Sequence, residues 1–141
     1  MKLSIITVCF NDLAGLERTS LSIKEALLNF KGLGINWVVI DGASTDGTVK
    51  FLEKSTLVDN WVSEPDAGIY DAMNKGIDYC TGDYVIYLNA GDVFCSDALS
   101  ILFDNLLESS EELFFFGAIF VSGQRTRYRA PRAFDAISHS V

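Results

Sequence analysis

The feature that most constrains the fold of this chain is the alternation of short apolar runs with segments of helical periodicity. The run LSIITVCF at 3–10 is rich in β-branched residues, as buried strands are. NWVVID at 36–41 and YVIYLN at 84–89 share this character, and WVS at 61–63 is a shorter strand. Strands that alternate with helices through short connections form a mostly parallel sheet with right-handed crossovers. The sequence therefore predicts an α/β fold with helices on both faces of the sheet.

Three helices are predicted between these strands. The first begins at a cap provided by Asn11 or Asp12. The second begins at Asp46 or Thr48, and the third covers residues 69–80. The apolar residues expected on their buried faces are Leu16, Ile23, Leu27 and Phe30, then Val49, Phe51 and Leu52, then Ile69, Met73 and Ile77.

The last third of the sequence predicts one further helix and one further strand. Ser96 or Asp97 caps the helix, and ELFFFGAIFV at 112–121 is the fifth strand. The tail at 122–141 is rich in arginine and is predicted to be an arm that leaves the sheet. The apolar face of the helix is expected to carry Leu99, Leu102, Phe103, Leu106 and Leu107.

Composition and charge exclude several classes of function. A chain of 141 residues that is 49% hydrophobic and 21% charged fits one soluble domain with a real core. Its net charge of −8 argues against a nucleic-acid surface, which needs a basic patch. No apolar stretch reaches the about 20 residues of a membrane helix, and the N-terminal run is unlike a signal peptide. The three cysteines form no C-x-x-C pair, which argues against a disulfide framework or zinc site and favours a reducing cytoplasm.

Three polar clusters follow predicted strands. They are Asn11 with Asp12, Asp41 with GASTDG at 42–47, and NAGD at 89–92. Ligands of an open parallel sheet bind outside the carboxyl ends of its strands. Carboxylates there can accept from a base or a ribose, or hold Mg²⁺ or Mn²⁺, which bridge to phosphates. The small residues that would let a flat nucleotide approach the backbone are Gly42, Ala43, Ser44, Ala90 and Gly91.

Each of these acidic residues also has a structural interpretation. Asp41 fits an Asx turn in DGASTDG, and Asp92 fits the turn into the next helix. The segment SEPDAGIYDAMNKG at 63–76 is harder to explain by structure alone. Its acidic residues could cap a helix and Lys75 could lie on a solvated face, but Lys75 could also neutralise a diphosphate as a point charge.

The three polar clusters with their strands and the segment at 63–76 lie in four stretches of the sequence. In their order along the chain, these four stretches resemble the family 2 glycosyltransferases of the GT-A fold. The third is the most specific and looks like the subgroup that builds bacterial exopolysaccharides such as colanic acid. The resemblance implies a Rossmann-like GT-A sheet, with residues 1–121 as a nucleotide-sugar-binding domain and 122–141 as the start of an acceptor-side portion. The matching stretches are SIITVCFND at 4–12, VVIDGASTDGT at 38–48, SEPDAGIYDAMNKGI at 63–77 and TGDYVIYLNAGD at 81–92.

The resemblance also implies roles for individual residues. Thr7 and the backbone around Val8 are expected to line the base pocket, with Asp41 on the base or ribose. Asp66 is expected beside the nucleoside, and Asp92 is expected to be the carboxylate on the metal side of a D-x-D-like motif. Further substrate-binding residues expected from the match are Asn11, Gly42, Ser44, Asp71, Asn74, Lys75, Asn89, Ala90 and Gly91.

Two positions depart from the pattern of the family. Asn89 and Gly91 stand where many members carry aspartates, so Mn²⁺ or Mg²⁺ is expected to rest on Asp92, the donor phosphates and water. Met73 stands where many members carry an arginine, which leaves Lys75 as the nearest expected cation.

The resemblance implies inverting transfer of a sugar from a nucleotide-diphosphate-sugar to a saccharide or lipid-linked acceptor. It implies a cytoplasmic enzyme, at the inner face of the membrane if a further part contacts lipid, and no nucleic-acid partner. Family members are usually longer, so the chain is expected to be a truncated donor-binding half with its general base beyond Val141.

Two alternatives stay open at this point. The first is a non-catalytic, self-associating nucleotide-binding fragment, because a truncated sheet would expose an edge. The second is a receiver-like phosphoryl acceptor, for which Asn11 and Asp12 would supply half of the acidic pair.

Overall fold

The computed structural model describes residues 2–29, 34–95, 118–122 and 125–129. The chain divides into two compact units, residues 1–99 and 100–141. The elements are, in chain order, β1 (Lys2–Cys9), α1 (Leu13–Asn29), β2 (Gly34–Asp41), α2 (Thr48–Lys54), β3 (Asn60–Ser63), α3 (Ile69–Ile77), β4 (Tyr84–Tyr87), β5 (Ala118–Ser122) and β6 (Arg125–Arg129).

The first unit is built on a four-stranded sheet in the order β3-β2-β1-β4. All neighbouring strands are parallel, and β1 pairs with β2 from Lys2↔Gly34 to Cys9↔Asp41. The chain therefore adds strands on one side of β1 and then crosses back to place β4 on the other side. The predicted α/β fold with a mostly parallel sheet is confirmed.

Both faces of the two central strands are covered. On one face Ile6, Val38 and Ile40 pack against Ala72 of α3. On the other face the Sγ of Cys9 lies 4.0 Å from the Oγ1 of Thr48 in α2. Burial on both faces explains why these strands are continuous apolar runs and do not alternate with polar residues.

The starts of α1 and α2 agree with the sequence prediction. The Oδ1 of Asp12 accepts a hydrogen bond of 2.9 Å from the N–H of Gly15, so Asp12 caps α1. Before α2, the Oδ1 of Asp46 accepts from the N–H and the hydroxyl of Thr48, at 3.1 and 2.7 Å. Leu16 and Ile23 are buried as predicted, whereas Phe30 lies outside the described residues.

The buried face of α3 differs from the predicted one. Ile69 and Ile77 are 46% and 48% exposed, and the buried residues of the helix are Ala72 and Gly76. A methyl group at Gly76 would lie 2.6 Å from the Cγ2 of Ile6, so no larger residue fits there. Small residues spaced by four let α3 approach β1 closely. The prediction that the large apolar residues face the core was therefore wrong for this helix, which also ends before residue 80.

The second unit contains an antiparallel pair of strands. β5 covers the end of the predicted fifth strand and pairs with β6, from Ala118↔Arg129 to Ser122↔Arg125. β6 lies in the segment that was predicted to be an arm, and that prediction missed a strand. In RTRYR, Thr and Tyr alternate with arginines, a period that fits a strand with one polar face. The helix predicted to begin at Ser96 or Asp97 lies outside the described residues.

The three cysteines are free and differ in exposure. Cys9 is buried, Cys80 is half-buried and Cys95 is exposed. Burial is the main cause that raises the pKa of the Cys9 and Cys80 thiols. Of the helices in the described part of the chain, none combines the length and the hydropathy that a membrane crossing requires.

Candidate functional site

The candidate site lies at the carboxyl edge of the sheet, where strand order reverses between β1 and β4. Open α/β sheets bind their ligands in the crevice at such a reversal. Four loops start at this edge: the β1 loop (residues 10–12), the β2 loop (42–47), the β3 loop (64–68) and the β4 loop (88–92).

Asp41 is fully buried at the end of β2 and organises the β2 loop. Its Oδ2 accepts from the N–H of Ser44 at 3.0 Å and from the hydroxyl of Ser63 at 2.6 Å. The hydroxyl of Ser44 donates to the other oxygen, Oδ1. Both carboxylate oxygens are therefore engaged within the chain. The contact of Asp41 with a base or ribose stays a prediction.

Asn11 joins the β1 loop to the β2 loop. Its N–H donates to the Oγ of Ser44 at 2.7 Å, and its Oδ1 accepts from the N–H of Thr45 at 2.9 Å. Asn11 has a φ of 49°, a left-handed conformation that asparagine tolerates better than most residues. The predicted ligand residues Asn11 and Ser44 thus lie together and hold two loops in one arrangement.

Asp46 connects the β2 loop to the starts of both neighbouring helices. Its Oδ2 accepts from the N–H of Leu13 in α1 at 2.8 Å, while its Oδ1 accepts from the N–H of Thr48, the first residue of α2, at 3.1 Å. The hydrogen bonds from Thr48 and Leu13 lower the pKa of the Asp46 carboxyl. The ionised form is therefore the form that holds the helices to the loop.

Lys75 holds the β3 loop against α3. Its Nζ lies 2.9 Å from the Oε1 of Glu64, 3.3 Å from the Oδ2 of Asp71 and 3.3 Å from the carbonyl oxygen of Pro65. Hydrogen bonding to Glu64 is the main cause that raises the pKa of Lys75, and the N–H of Ala67 is the main cause that lowers that of Asp71. These three acceptors match the three N–H groups of an ammonium. Binding of a diphosphate by Lys75, as predicted, would require it to leave these partners.

Asp66 of the β3 loop faces Gly42 of the β2 loop. A methyl group at Gly42 would lie 2.9 Å from the Oδ2 of Asp66 and 3.2 Å from the Cδ2 of Phe10. Phe10 is 65% exposed at the end of β1. A glycine is needed there because the carboxylate and the aromatic ring fill the space that a methyl group would take. An exposed aromatic ring and an acidic group therefore lie next to each other at Gly42.

The β4 loop is attached to β1 and to α1. The N–H of Ala90 donates to the carbonyl of Val8 at 3.1 Å. The hydroxyl of Thr19 accepts from the N–H of Gly91 at 3.1 Å and lies 2.8 Å from the carbonyl oxygen of Asp92, to which it donates. Gly91 has a φ of 90°, which favours glycine. One buried threonine of α1 therefore fixes the backbone of this loop.

Two side chains of the β4 loop are available to a ligand. Asp92 is exposed, and no hydrogen bond or ion pair of its carboxylate joins it to the described residues. The Oδ1 of Asn89 is buried and has no hydrogen-bond partner among them. Nor do the described residues contain a group of at least three acidic, histidine or cysteine ligands suited to a metal ion. A divalent cation therefore fits this edge only if other oxygens, such as phosphates and water, complete its ligands.

Thr7 and Val8, which are predicted to line a base pocket, hold the β4 loop in the structure. Thr7 is buried, and its hydroxyl donates to the carbonyl of Leu88 at 2.7 Å and accepts from the Nε1 of Trp37 at 2.9 Å. Val8 uses its carbonyl to hold Ala90. Both support the β4 loop from below, and their contact with a base stays a prediction. Asn74 is exposed on α3.

Sequence reasoning missed three residues at this edge: Phe10, Arg18 and Thr19. Phe10 looked like the end of a strand, and Thr19 looked like an ordinary polar residue of a helix. Arg18 is exposed on α1, and its Nη2 lies 3.4 Å from the position of a methyl group at Gly91. The helical register alone could have placed Arg18 and Thr19 near the start of α1, but not beside the β4 loop.

The sequence profile of the family described as Glycosyl transferase family 2 matches residues 4–139. An uncharacterised glycosyltransferase of Mycobacterium tuberculosis is 44% identical over 92 residues, which are 64% of this chain and 34% of that protein. A PGL/p-HBAD biosynthesis glycosyltransferase of Mycobacterium bovis is 30% identical over 103 residues, which are 70% of this chain and 40% of that protein. The chain thus spans well under half the length of these curated relatives.

Two solved structures share the fold. The S. aureus protein TarS, residues 1–349 in complex with UDP-GlcNAc, has a TM-score of 0.63 at 19% identity, covering 77% of this chain and 32% of that one. The mannosyltransferase PcManGT from Pyrobaculum calidifontis, in complex with GDP-Man and Mn²⁺, has a TM-score of 0.61 at 22% identity, covering 82% and 33%. The α/β sheet is therefore of the GT-A type, as expected. Since the family profile covers nearly the whole chain, the protein belongs to glycosyl transferase family 2.

Proposed function

We propose that this chain is the donor-binding part of a glycosyltransferase that takes a sugar from a nucleotide-diphosphate-sugar and transfers it with inversion to a saccharide or lipid-linked acceptor. The observation that carries the proposal is the arrangement of four polar loops along the carboxyl edge of the sheet, which includes the strand-order reversal between β1 and β4. Asn11 joins the β1 and β2 loops, and Thr19 ties the β4 loop to α1, so these parts of the edge are organised before any ligand arrives.

The nucleoside is proposed to lie over the β1, β2 and β3 loops. The exposed ring of Phe10 offers a face on which a base can stack, and the absence of a side chain at Gly42 lets this ring lie against the backbone. Asp66 also lies against Gly42, and its carboxylate is proposed to accept from a base N–H or a ribose hydroxyl. Asp41 supports this surface from the buried side through Ser44 and Ser63.

The diphosphate is proposed to lie at the β4 loop. Asp92, with the amide oxygen of Asn89 nearby in sequence, would hold Mn²⁺ or Mg²⁺ together with the phosphates. When bound, such an ion stabilises the negative charge that develops on the departing diphosphate. The chain's own contribution is to fix this loop through Thr19 and Val8, so that the oxygens of Asp92 and Asn89 need little reorganisation. In the transfer itself, an acceptor hydroxyl attacks the anomeric carbon from the face opposite the diphosphate. No described residue is assigned as its general base.

The proposed setting is bacterial surface polysaccharide or glycolipid synthesis, in the cytoplasm or at the inner face of the membrane. The third motif supports the exopolysaccharide subgroup, and one relative is named for PGL/p-HBAD biosynthesis. The donors in TarS and PcManGT, UDP-GlcNAc and GDP-Man, support a nucleotide-sugar without selecting the sugar.

The test is a thermal-shift titration of the chain with UDP and with GDP, each with and without Mn²⁺. One of the two nucleotides is expected to raise the melting temperature, and Mn²⁺ is expected to increase the shift. Asp92→Ala should remove the Mn²⁺-dependent part and leave the part that is independent of metal.

Asp78→Ala is the matched control, because Asp78 is an exposed aspartate that follows α3 outside the four loops. It should behave as the unmodified chain does. Absence of any nucleotide-dependent shift at millimolar ligand would contradict the proposed function. Binding without transfer to any acceptor would instead favour the non-catalytic fragment.

A further inference from the structure

Arg18 is an exposed cation beside the β4 loop. It lies in the second turn of α1, and its Nη2 is 3.4 Å from the position that a methyl group would take at Gly91. Arg18 is exposed, and within the described part of the chain its guanidinium makes neither an ion pair nor a hydrogen bond. A free guanidinium at this place presents up to five N–H donors in a planar fork that suits phosphate oxygens.

Lys75, another cation that the structure describes at this edge, already has partners. All three N–H groups of Lys75 are matched by Glu64, Asp71 and Pro65. Releasing Lys75 would leave the two carboxylates without their partner and free the β3 loop. A diphosphate at the β4 loop therefore meets Arg18 at a lower cost than Lys75.

The position of Arg18 relative to the β4 loop is fixed by its neighbour. The hydroxyl of Thr19 bonds both the N–H of Gly91 and the carbonyl of Asp92. The backbone that carries the guanidinium is thus tied to the backbone that carries the Asp92 carboxylate.

Asp12 is the charged group that faces the same place. Its Oδ2 lies 3.5 Å from the methyl position at Gly91, and its Oδ1 accepts from the N–H of Gly15. No ion pair joins Asp12 to Arg18 in the described structure, so the guanidinium is not neutralised by it. The negative charge of Asp12 disfavours binding of a phosphate without a metal ion. A phosphate that also binds a metal ion at Asp92 is therefore favoured over a phosphate alone.

We propose that the guanidinium of Arg18 binds the diphosphate of the nucleotide-sugar donor from the α1 side of the β4 loop. This assignment rests on the proposed function and adds a residue that the family resemblance did not supply. Because Gly91 has no side chain, the guanidinium lies close to the backbone of the β4 loop, where a phosphate held at Asp92 would be within its reach.

The test is isothermal titration calorimetry of the unmodified chain and of Arg18→Gln. The ligands are UDP, UMP and inorganic pyrophosphate, each with Mn²⁺. GDP and GMP serve as the second pair of nucleotides. Loss of a charge-assisted hydrogen-bond pair is expected to weaken diphosphate and pyrophosphate binding by about 10- to 100-fold. Monophosphate binding should fall much less. Arg18→Lys should recover part of the affinity, because the charge returns without the planar fork.

Lys24→Gln is the control, since it removes one positive charge from an exposed position of the same helix. Diphosphate binding that is equal in Arg18→Gln and the unmodified chain would overturn the Arg18 assignment and leave the proposed function standing. An equal loss for diphosphate and monophosphate would also overturn it. If the unmodified chain bound no nucleotide and no pyrophosphate, both proposals would fall.

Discussion

Thr19 holds the backbone of the β4 loop in the candidate site through one hydroxyl group. It is buried in α1, yet its single hydroxyl serves a donor and an acceptor of the β4 loop. Removal of that hydroxyl would leave the N–H of Gly91 and the carbonyl of Asp92 unpaired at a partly buried place.

We expect Thr19→Val, which keeps the shape of the side chain, to lower the free energy of unfolding by about 1–3 kcal/mol. Urea unfolding measures this value, and the nucleotide titration should show weaker Mn²⁺-dependent binding in the same variant. Thr19→Ser keeps the hydroxyl and is expected to retain most of that binding. If Thr19→Val bound Mn²⁺ and nucleotide as the unmodified chain does, the threonine would not position the loop.

At the scale of elements, the strands were predictable and the orientation of α3 was not. β1 and β2 are buried on both faces, so their β-branched residues alone identify them. In α3 the apolar residues spaced by four suggested a core face, but the packing distance selected Ala72 and Gly76 instead. A periodic pattern reports where large apolar residues recur, and it does not report how closely a helix must approach a sheet.

Gly76→Ala tests whether this close approach stabilises the molecule. Alanine would favour the helix by about 1 kcal/mol relative to glycine, but its methyl group would lie 2.6 Å from the Cγ2 of Ile6. We expect the steric term to dominate, with a net loss of about 1–3 kcal/mol in the free energy of unfolding.

The pair Ile6→Ala and Gly76→Ala gives a sharper measurement through a double-mutant cycle. Ile6→Ala alone should cost about 2–5 kcal/mol, and the second change should cost less in its presence. Asn74→Ala, on the exposed side of the same helix, is the control for helix propensity. Additive effects of the two changes would mean that the clash is relieved by movement of the helix.

The same limit applies to the loops of the site. The motifs predicted which loops meet, because the carboxyl ends of parallel strands share one edge. They did not predict that Asp41 and Thr7 are engaged inside the chain, since those contacts join residues far apart in sequence. Arg18 and Phe10 carry no motif of their own, so only their place in the fold identifies them.

At the scale of the whole molecule, family membership removes the receiver-like alternative. The chain matches 34% and 40% of the length of two curated relatives. Acceptor recognition and catalysis by the chain therefore stay proposals. Self-association stays a proposal as well. In the four-stranded sheet the outer strands are β3 and β4, and Val85 and Tyr87 of β4 are 43% and 42% exposed.

The stability of the whole molecule should depend on pH through Asp46. Its pKa in the folded protein is below the ordinary value of 3.8. The carboxylate therefore contributes stability that is fully present above that value and is lost as the pH falls through the folded pKa. In the Asp46→Asn variant the side chain cannot ionise. The difference in free energy of unfolding between the unmodified chain and this variant should therefore be largest near neutral pH.

Urea unfolding at about pH 7 and at about pH 3 checks this dependence, because the difference between the two proteins should become smaller in acid. Asp78→Asn, an exposed aspartate for which no side-chain hydrogen bond joins it to the described residues, is the control. A difference that stayed constant between the two pH values would mean that Asp46 acts through its shape and not through its charge.

The unequal exposure of the three cysteines gives the chain a natural attachment point for a spectroscopic label. Cys95 is exposed, whereas burial shields Cys9 and Cys80 and keeps their thiols protonated. Even a fully extended chain places the Cα of Cys95 within about 11 Å of that of Asp92. A maleimide fluorophore should therefore react first at Cys95, without any engineered cysteine. Its emission would then report arrival of a nucleotide at the β4 loop as a signal in real time.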